Sequence, residues 1–414
     1  MSDLKTKIVI TGMGALSSIG TSAPAIWQSM RDGVCGIGPL TTINLDGLKG
    51  NVGAEIKQLP DIGLDHRRLV TMDRFALLAV MAADEAYRQS GLGLTESQSL
   101  RAGAIVGVGT FGGITIDEAY RAVWPEGKKH PPIFTVPKAM PGAAAGQVSM
   151  HLGLRGVVFG VSSACSSSNH AIGTAVDMLR AGRADVMLAG GADAPIIFGV
   201  LKAWEALRVL SPEPCRPFSA TRAGLSIGEG AGMFVLETEA HAKARGAVIL
   251  AELAGFGMSA DATDIVAPGV DGPARAMRLC LDDSELAPED VDYINAHGTA
   301  TKANDMIETQ AIKLAFGSHA RALSVSSTKS MHAHCMGASG AIELIACIGA
   351  VREGIVPPTV NYQTPDPDCD LDITPNLARS RVVRAAISNS FAFGGTNAVL
   401  CVKPHELALQ RRAL

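Results

Sequence analysis

The chain has 414 residues, of which 47% are hydrophobic and 18% are charged, so it can bury a large core. Its net charge of −4 offers no basic stripe for nucleic acid, and no apolar run reaches the roughly 20 residues of a membrane span. The eight cysteines show no zinc-ligand spacing and no signal peptide is evident, which indicates reduced thiols in a cytoplasmic protein.

The first half of the chain alternates apolar runs with helical patterns. Buried strands are predicted at residues 7–11, 103–108, 157–161 and 186–189. A helix is predicted at residues 72–90, with one face formed by Phe75, Leu78, Ala79, Ala82 and Ala86. Strands that alternate with helices predict a mostly parallel sheet covered on both sides.

The second half repeats this series after a joint near residue 250. Strands are predicted at residues 248–257, 291–296, 322–326, 384–388 and 397–402, and helices at 272–281, 305–316 and 337–352. The prediction is therefore two similar α/β halves, residues 1–250 and 251–414, related by pattern and without a residue-level repeat.

Cys165 lies in the segment Gly160-Val-Ser-Ser-Ala-Cys165, where a predicted strand runs into small residues and a helix begins. Amides at a helix N-terminus carry partial positive charge, which predicts a lowered pKa for this thiol. Small neighbours would let a substrate carbonyl approach the sulfur. Taken alone, a buried structural cysteine is the more common case.

Two histidines follow predicted strands of the second half. His297 and His334 would therefore lie near the crevice in which parallel sheets bind ligands. Singly, each is more typical of a hydrogen-bonded structural histidine. Lys329 and Glu343, on either side of His334, would singly be a solvated ion pair.

A glycine turn follows Phe393 in the segment Phe391-Ala-Phe393-Gly-Gly. Its backbone N–H groups are predicted to be free to face a developing negative charge, although the turn alone could be an ordinary hairpin. Together with the cysteine, the histidines and the lysine–carboxylate pair, it completes the groups that acyl transfer requires.

These segments resemble those of the β-ketoacyl-acyl-carrier-protein synthases, in particular the elongating ketosynthase II group. The resemblance covers nearly the whole chain, and the order Cys–His–His around a Ser-Ser-Thr-Lys-Ser motif is highly specific. It implies the five-layered αβαβα fold of thiolase-like enzymes and a decarboxylative Claisen condensation of malonyl carrier protein with a cysteine-bound acyl chain.

The resemblance also implies residue roles. The nucleophile would be Cys165, enolate stabilisation would fall to His297 and His334, and Lys329 and Glu343 would order them. The gating ring and an oxyanion amide would come from Phe393. Thr299 and Thr301 would bind the phosphopantetheine arm, and further substrate contacts are expected at Phe391, Gly394 and Phe198. No metal and no cofactor of the chain's own are expected.

The expected partners are an acidic acyl carrier protein and a second subunit. A basic patch at Arg67, Arg68 and Arg74 is predicted to bind the carrier, with Lys128 and Lys129 as a second candidate, although such arginines are often only solvated. The second subunit would be another copy of the chain or a chain-length-factor-like protein.

The sequence departs from the elongating enzymes near the expected acyl entrance. His332-Ala333 replaces Thr-Gly, Ala392 replaces glycine, Arg222-Ala-Gly-Leu225 replaces Arg-Asp-Gly-Phe, and 264–268 replaces a stretch with His and Thr. These departures suggest a specialised relative, of the kind found in nodulation-signal, aryl-polyene or type II polyketide pathways.

Three rival readings stay open. A dehydrogenase is suggested by Gly12-Met-Gly14 after a strand, but Ser17 stands where a third glycine would be needed. A degradative thiolase would carry a second cysteine where Phe393 stands. A non-catalytic chain-length partner would lack acylation of Cys165.

Overall fold

The computed structural model describes residues 5–405. Its strands are β1 Ile8–Leu16, β2 Gly38–Pro39, β3 Val52–Ala54, β4 Ala102–Gly107, β5 Val158–Val161, β6 Val186–Asp193, β7 Ile227–Gly228, β8 Gly230–Thr238, β9 Ala251–Ala260, β10 Tyr293–Asn295, β11 Ser324–Ser326, β12 Ile355–Val356, β13 Arg379–Ser380, β14 Ala386–Ala392 and β15 Thr396–Lys403. Its α-helices are α1 Ala23–Asp32, α2 His66–Leu69, α3 Arg74–Ser90, α4 Glu96–Ser99, α5 Gly113–Val123, α6 Thr135–Ala139, α7 Ala143–Leu152, α8 Ser167–Arg180, α9 Phe198–Leu207, α10 Glu239–Ala244, α11 Asp271–Ser284, α12 Lys302–Phe316, α13 Lys329–His332 and α14 Ser339–Glu353.

In the described part of the chain, ten strands form one sheet in the order β11-β10-β14-β15-β9-β1-β8-β6-β4-β5. The sheet consists of two sets of five strands that meet at its centre. Counted from the centre outwards, the strands of each set lie in the order first, fifth, fourth, second and third along the chain. The two sets join where β1 pairs with β9, with Ile8 opposite Leu253 and Ile10 opposite Ala251. The two halves thus share one topology, whereas the domain boundary at residue 250 stays a prediction.

The prediction of a mostly parallel sheet is wrong. The pairs β4–β5, β4–β6, β10–β11 and β10–β14 are parallel, but β1–β8, β6–β8, β1–β9, β14–β15 and β9–β15 are antiparallel. The last strand of each set runs back between its neighbours, and β15 follows β14 after a turn of three residues. Such a return needs no crossover helix, so the alternation of strands and helices did not reveal it.

The layers follow from where the helices pack. α3 covers one side of β1, β8 and β6, and α11 covers β9 and β15. α8 and α14 lie between the two sets of strands, where α14 is buried on almost every face and its residues share a core with those of α8. This arrangement is the predicted five-layered αβαβα fold. None of the helices in residues 5–405 is long and apolar enough to cross a membrane.

The glycines of β1 serve close packing against α3. A Cβ on Gly12 would lie 2.1 Å from the carbonyl oxygen of Ala86, and one on Gly14 would lie 2.2 Å from that of Ala82. Strand and helix therefore approach more closely than any side chain allows. This contact explains Gly12 and Gly14 without a dinucleotide.

Candidate active site

Cys165 lies in a 3-10 turn, Ala164–Ser166, that joins β5 to α8. Ala164 has a φ of 50°, a left-handed conformation that costs a non-glycine residue about 1–2 kcal/mol. The turn is held by Ser163, whose carbonyl oxygen accepts a hydrogen bond from Ser166 Oγ at 2.8 Å. The sharp change of direction points Cys165 towards a cavity and leaves it 7% exposed.

The Cys165 sulfur lies 3.0 Å from His334 Nε2. Burial raises the pKa of the Cys165 thiol to about 12, against a smaller lowering by the charge of Lys329. The prediction that helix amides lower this pKa is therefore wrong, because burial outweighs them. The thiol is neutral at physiological pH, and His334 is the base within reach of its proton.

His334 is held from both sides. Its Nδ1 lies 2.8 Å from Ser339 Oγ, and its backbone N–H donates to the Ser226 carbonyl oxygen at 2.8 Å. Burial and the charge of Lys329 hold the pKa of His334 well below its usual value, so the ring is neutral. When the Ser339 hydroxyl accepts from Nδ1–H, the neutral ring leaves Nε2 free to take a proton. When the hydroxyl donates to Nδ1, the ring proton is on Nε2.

His297 follows β10, and Glu308 fixes its backbone. The Glu308 carboxylate accepts the N–H of His297 at 2.8 Å and that of Gly298 at 2.7 Å. Lys329 Nζ lies 3.4 Å from His297 Nδ1; because an ammonium group only donates, the ring proton is on Nε2. Burial and the Lys329 charge hold the pKa of His297 well below its usual value, so His297 is a neutral donor.

Lys329 and Glu343 form a buried ion pair behind the two histidines. Burial raises the pKa of Glu343, and the charge of Lys329 opposes that rise. The sequence alone would have left this pair in solvent, whereas both side chains are at most 1% exposed. Its contact with His297 makes it a positioning pair for that ring.

One cavity brings the thiol and both imidazoles together. The two histidine rings stand edge to face with centroids 5.5 Å apart. The wall around them is mostly apolar, with a few hydroxyl and amide groups; it includes Trp204, Leu225, Thr299, Thr301, Ala303, Asn304, Phe391, Ala392, Phe393 and residues 264–268.

The cavity opens at a mouth formed by Trp204, Phe393 and residues 261–269, called the mouth loop below. The Phe393 ring is 37% exposed and stacks on Trp204, with centroids 5.8 Å apart and planes 26° from parallel. Deeper inside, the Phe391 ring lies 5.8 Å from that of His297.

The glycine turn after Phe393 does not hold the free donors that the sequence predicted. The Gly394 N–H donates to the Ile265 carbonyl oxygen at 2.8 Å, and the Gly395 N–H donates to that of Ala392 at 3.0 Å. The first bond joins the turn to the mouth loop and the second closes the turn itself. Gly394 lies outside the cavity wall. The substrate contact expected at Gly394 is therefore not supported by its position.

Two further predicted site residues lie elsewhere. Phe198 begins α9 and lies beside Gly47, outside the cavity wall. Trp204 of the same helix lines the cavity. Arg74 is occupied internally, since its guanidinium binds both Glu229 oxygens at 2.6 and 2.7 Å. Arg67 is exposed on α2, and Arg68 beside it is partly buried.

Three buried carboxylates of the site were missed at the sequence level. Burial raises the pKa of Glu308, which holds His297, to about 7, and it also raises that of Asp305 one turn earlier on α12. Asp193 accepts the N–H groups of Gly109 at 2.8 Å and Gly337 at 2.6 Å, and burial raises its pKa to about 6. For Asp193, the available signal was an acidic residue at the end of the apolar and small-residue run of β6. Asp305 and Glu308 lie in a polar stretch, which gave no such signal.

Comparison with known families matches both halves of the chain. The family described as beta-ketoacyl synthase, N-terminal domain, matches residues 5–242, and its C-terminal domain matches residues 250–363.

Among known proteins, the nodulation protein E of Rhizobium sp. (strain N33) is 62% identical over 397 residues, which cover 96% of this chain and 99% of the relative. The 3-oxoacyl-[acyl-carrier-protein] synthase 2 of Staphylococcus aureus (strain COL) is 40% identical over 408 residues, or 97% of this chain and 99% of the relative.

Solved structures show the same fold. The ishigamide ketosynthase/chain length factor superposes with a TM-score of 0.89 at 36% identity, covering 97% of this chain and all of the other, 100%. A ketosynthase of the type II polyketide complex AntDE:AntF, which contains an acyl-carrier protein, gives 0.90 at 30% identity over 97% of this chain and 100% of that one. The chain therefore belongs to the β-ketoacyl synthase family and is a condensing acyltransferase of fatty acid or polyketide synthesis.

Proposed function

We propose that Cys165 is the nucleophile of the condensation and that His297 and His334 stabilise the enolate. The observation that carries this assignment is the 3.0 Å contact between Cys165 Sγ and His334 Nε2, in a cavity that also contains His297. Lys329 and Glu343 are positioning residues that keep both rings neutral and oriented.

In the first step, the Cys165 proton passes to His334 Nε2 and the thiolate attacks the thioester carbonyl of the acyl carrier. The bond between the acyl carbon and the carrier's sulfur breaks, and the carrier's thiol leaves with the proton from His334. The acyl group is then a thioester of Cys165. The Phe393 backbone amide is the proposed oxyanion donor beside that of Cys165.

In the second step, the malonyl thioester loses CO2, and negative charge develops on its thioester oxygen. The Nε2–H groups of His297 and His334 donate to that oxygen. The enolate carbon attacks the acyl carbon on Cys165, and the new carbon–carbon bond forms as the bond between that carbon and the Cys165 sulfur breaks. The Cys165 thiolate then takes a proton from solvent, the one proton that the condensation consumes. The product is a 3-oxoacyl carrier lengthened by two carbons.

The carrier's phosphopantetheine supplies the thioester, so the chemistry needs no cofactor of the chain's own. Thr299 and Thr301 are the proposed contacts of the arm, and Phe391, Phe393 and Trp204 those of the acyl chain; all five line the cavity. We place the reaction in the cytoplasm.

Carrier binding is proposed for cations near the mouth. Arg208 and Lys302 are exposed and directly precede or follow cavity-wall residues, and neither has an ion-pair partner within residues 5–405. Arg67 and Arg68 extend this proposal, whereas Arg74 is committed to Glu229. An acidic carrier would be steered to such groups.

A second subunit is proposed to cover α5, α6 and strand β5. Trp124 is 86% exposed and Ile133 is 88% exposed, with Tyr120, Val136 and Met140 also largely open to solvent. Among the described residues 5–405, β5 pairs only with β4 and ends the sheet. Apolar patches and unpaired strand edges of this kind mark interfaces. The subunit is another copy of the chain or a chain-length-factor-like protein.

A specialised acyl chain is the proposed substrate. The chain shares 62% identity with nodulation protein E and 40% with 3-oxoacyl-[acyl-carrier-protein] synthase 2, and its departures from the elongating enzymes include residues of the cavity wall. We therefore propose a nodulation-type or polyketide-type pathway in preference to housekeeping fatty acid synthesis.

Intact-protein mass spectrometry tests the nucleophile. After incubation with carrier protein loaded with hexanoyl to octadecanoyl groups, wild type should gain one acyl mass, as should the control Cys35→Ser. Cys165→Ala should gain none, and Cys165→Gln, which mimics the acylated site, should still decarboxylate malonyl carrier. A wild-type chain that stays unacylated would support the non-catalytic partner instead.

A further inference from the structure

Asn304 lies in the first turn of α12, on the wall of the cavity that contains Cys165 and His297. Its backbone N–H donates to Thr301 Oγ1 at 3.3 Å, which fixes the start of the helix. Its side chain is the one carboxamide on this wall besides that of Asn397, whose Nδ2 is bound to Asp261 Oδ1 at 2.7 Å. The condensation steps above do not use Asn304.

The orientation of the Asn304 carboxamide follows from its neighbours. Its Nδ2 donates to Asp305 Oδ1 at 3.1 Å and lies 3.5 Å from Glu308 Oε2. Both carboxylates are fully buried, and their oxygens accept hydrogen bonds from backbone N–H groups. The nitrogen must face these acceptors, so the Asn304 carbonyl oxygen faces the other way. Within residues 5–405 this oxygen has no donor.

The neighbouring threonines supply the opposite hydrogen-bonding character. Thr299 Oγ1 and Thr301 Oγ1 lie 3.2 Å apart, and either can be the donor. Two hydroxyl groups carry two protons, and their mutual bond uses one, so one proton stays available to the cavity. The wall therefore offers a hydroxyl donor beside the Asn304 carbonyl acceptor, the pair that a secondary amide requires.

We infer that Asn304 is a substrate-binding residue that accepts the N–H of a secondary amide in the thioester's arm, while the threonine hydroxyls donate to amide carbonyl oxygen. This inference rests on the proposed condensing function and adds a recognition element to the same site. It distinguishes an amide-bearing thioester from an equally long alkyl thioester.

Acylation of Cys165 by small donors tests this inference. The donors are an N-acetylcysteamine thioester, which carries one amide, and the S-pentyl thioester, in which methylene groups replace that amide; both carry the acyl group that wild type loads fastest. For the amide donor, Asn304→Ala should lower kcat/KM about 3- to 10-fold, the effect of one neutral hydrogen bond. For the S-pentyl donor, Asn304→Ala and wild type should be equal.

Gln310→Ala is the matched control, because Gln310 is an exposed carboxamide on the same helix. It should leave the ratio between the two donors unchanged. An equal loss with both donors would mean that Asn304 acts only through Asp305 and Glu308, and no loss would mean that it contacts no substrate; either result overturns the inference. If Cys165 of wild type accepts an acyl group neither from these donors nor from acyl carrier protein, the proposed function fails instead.

Discussion

The floor of the active-site cavity and its mouth differ in burial and in bonding. At the floor, His297, His334 and Lys329 are almost fully buried and each contacts at least one other polar group of the site. At the mouth, Ile265 is 75% exposed and the Phe393 turn is held by hydrogen bonds to the mouth loop. We therefore propose that the floor fixes one chemistry, whereas the mouth can change the accepted chain without disturbing it.

The departures from the elongating ketosynthases follow this division. Leu225, Ala392 and residues 264–268 line the cavity near the mouth. His332 does not; it is fully buried, with Nε2 3.1 Å from Thr328 Oγ1. Selection for a different acyl chain would act on Leu225, Ala392 and residues 264–268. The identity of His332 would instead be set by its packing and hydrogen bonding.

The largest effect is expected from the buried ion pair of the floor. Lys329→Ala leaves Glu343 without its partner, which should lower the free energy of unfolding by about 3–5 kcal/mol in urea titrations. The double variant Lys329→Met with Glu343→Leu should recover most of that stability but not condensation. A single variant as stable as wild type would contradict the buried pair.

The next largest effect separates the two histidines. His297→Ala should slow malonyl decarboxylation about 10²- to 10³-fold, the loss typical of one oxyanion donor, in a CO2-release assay. It should leave acylation of Cys165 nearly intact, whereas His334→Ala should slow both steps. Equal behaviour of the two variants in both assays would remove the distinction between base and donor.

Glu308 should make stability depend on pH. Burial raises its pKa in the folded state to about 7, above the ordinary value of 4.5. Its contribution to stability is therefore complete below pH 4.5 and is lost as pH rises through 7. Between about pH 5 and pH 8, wild type should lose about 2–3 kcal/mol relative to Glu308→Gln in thermal unfolding. Parallel curves for the two proteins would contradict this.

The smallest effect is expected at the mouth. Trp204→Ala removes a stacked pair that contributes about 0.5–1.5 kcal/mol. Mass spectrometry of the acyl groups loaded from a mixed pool should show a shifted chain-length profile. A profile identical to wild type would mean that the acyl chain does not pass Trp204.

Within residues 5–405, local sequence patterns were sufficient for nine of the ten strands of the large sheet and for the chemical groups of the floor. Cys165, His297 and His334 were recognised because each follows a strand, and the repeated order of strands brings those ends to one cavity. The returning strand β8, Gly230–Thr238, was not among the predicted strands.

Hydrogen-bond partners distant in sequence were beyond the reach of local patterns. Gly394 is bound to Ile265, and Arg74 to Glu229, across separations that no local motif records. The raised pKa of Cys165 likewise depends on burial by residues from both halves. The sequence could identify these groups but not which of them were already occupied.

The most direct test of the whole account is the condensation product itself. Acyl carrier protein loaded with the preferred chain and malonyl carrier protein labelled with ¹³C at the methylene carbon are incubated with the chain, and the carrier-bound product is analysed by mass spectrometry. We expect a 3-oxoacyl product with one labelled carbon, absent with Cys165→Ala. Labelled product formed equally well by Cys165→Ala would contradict it.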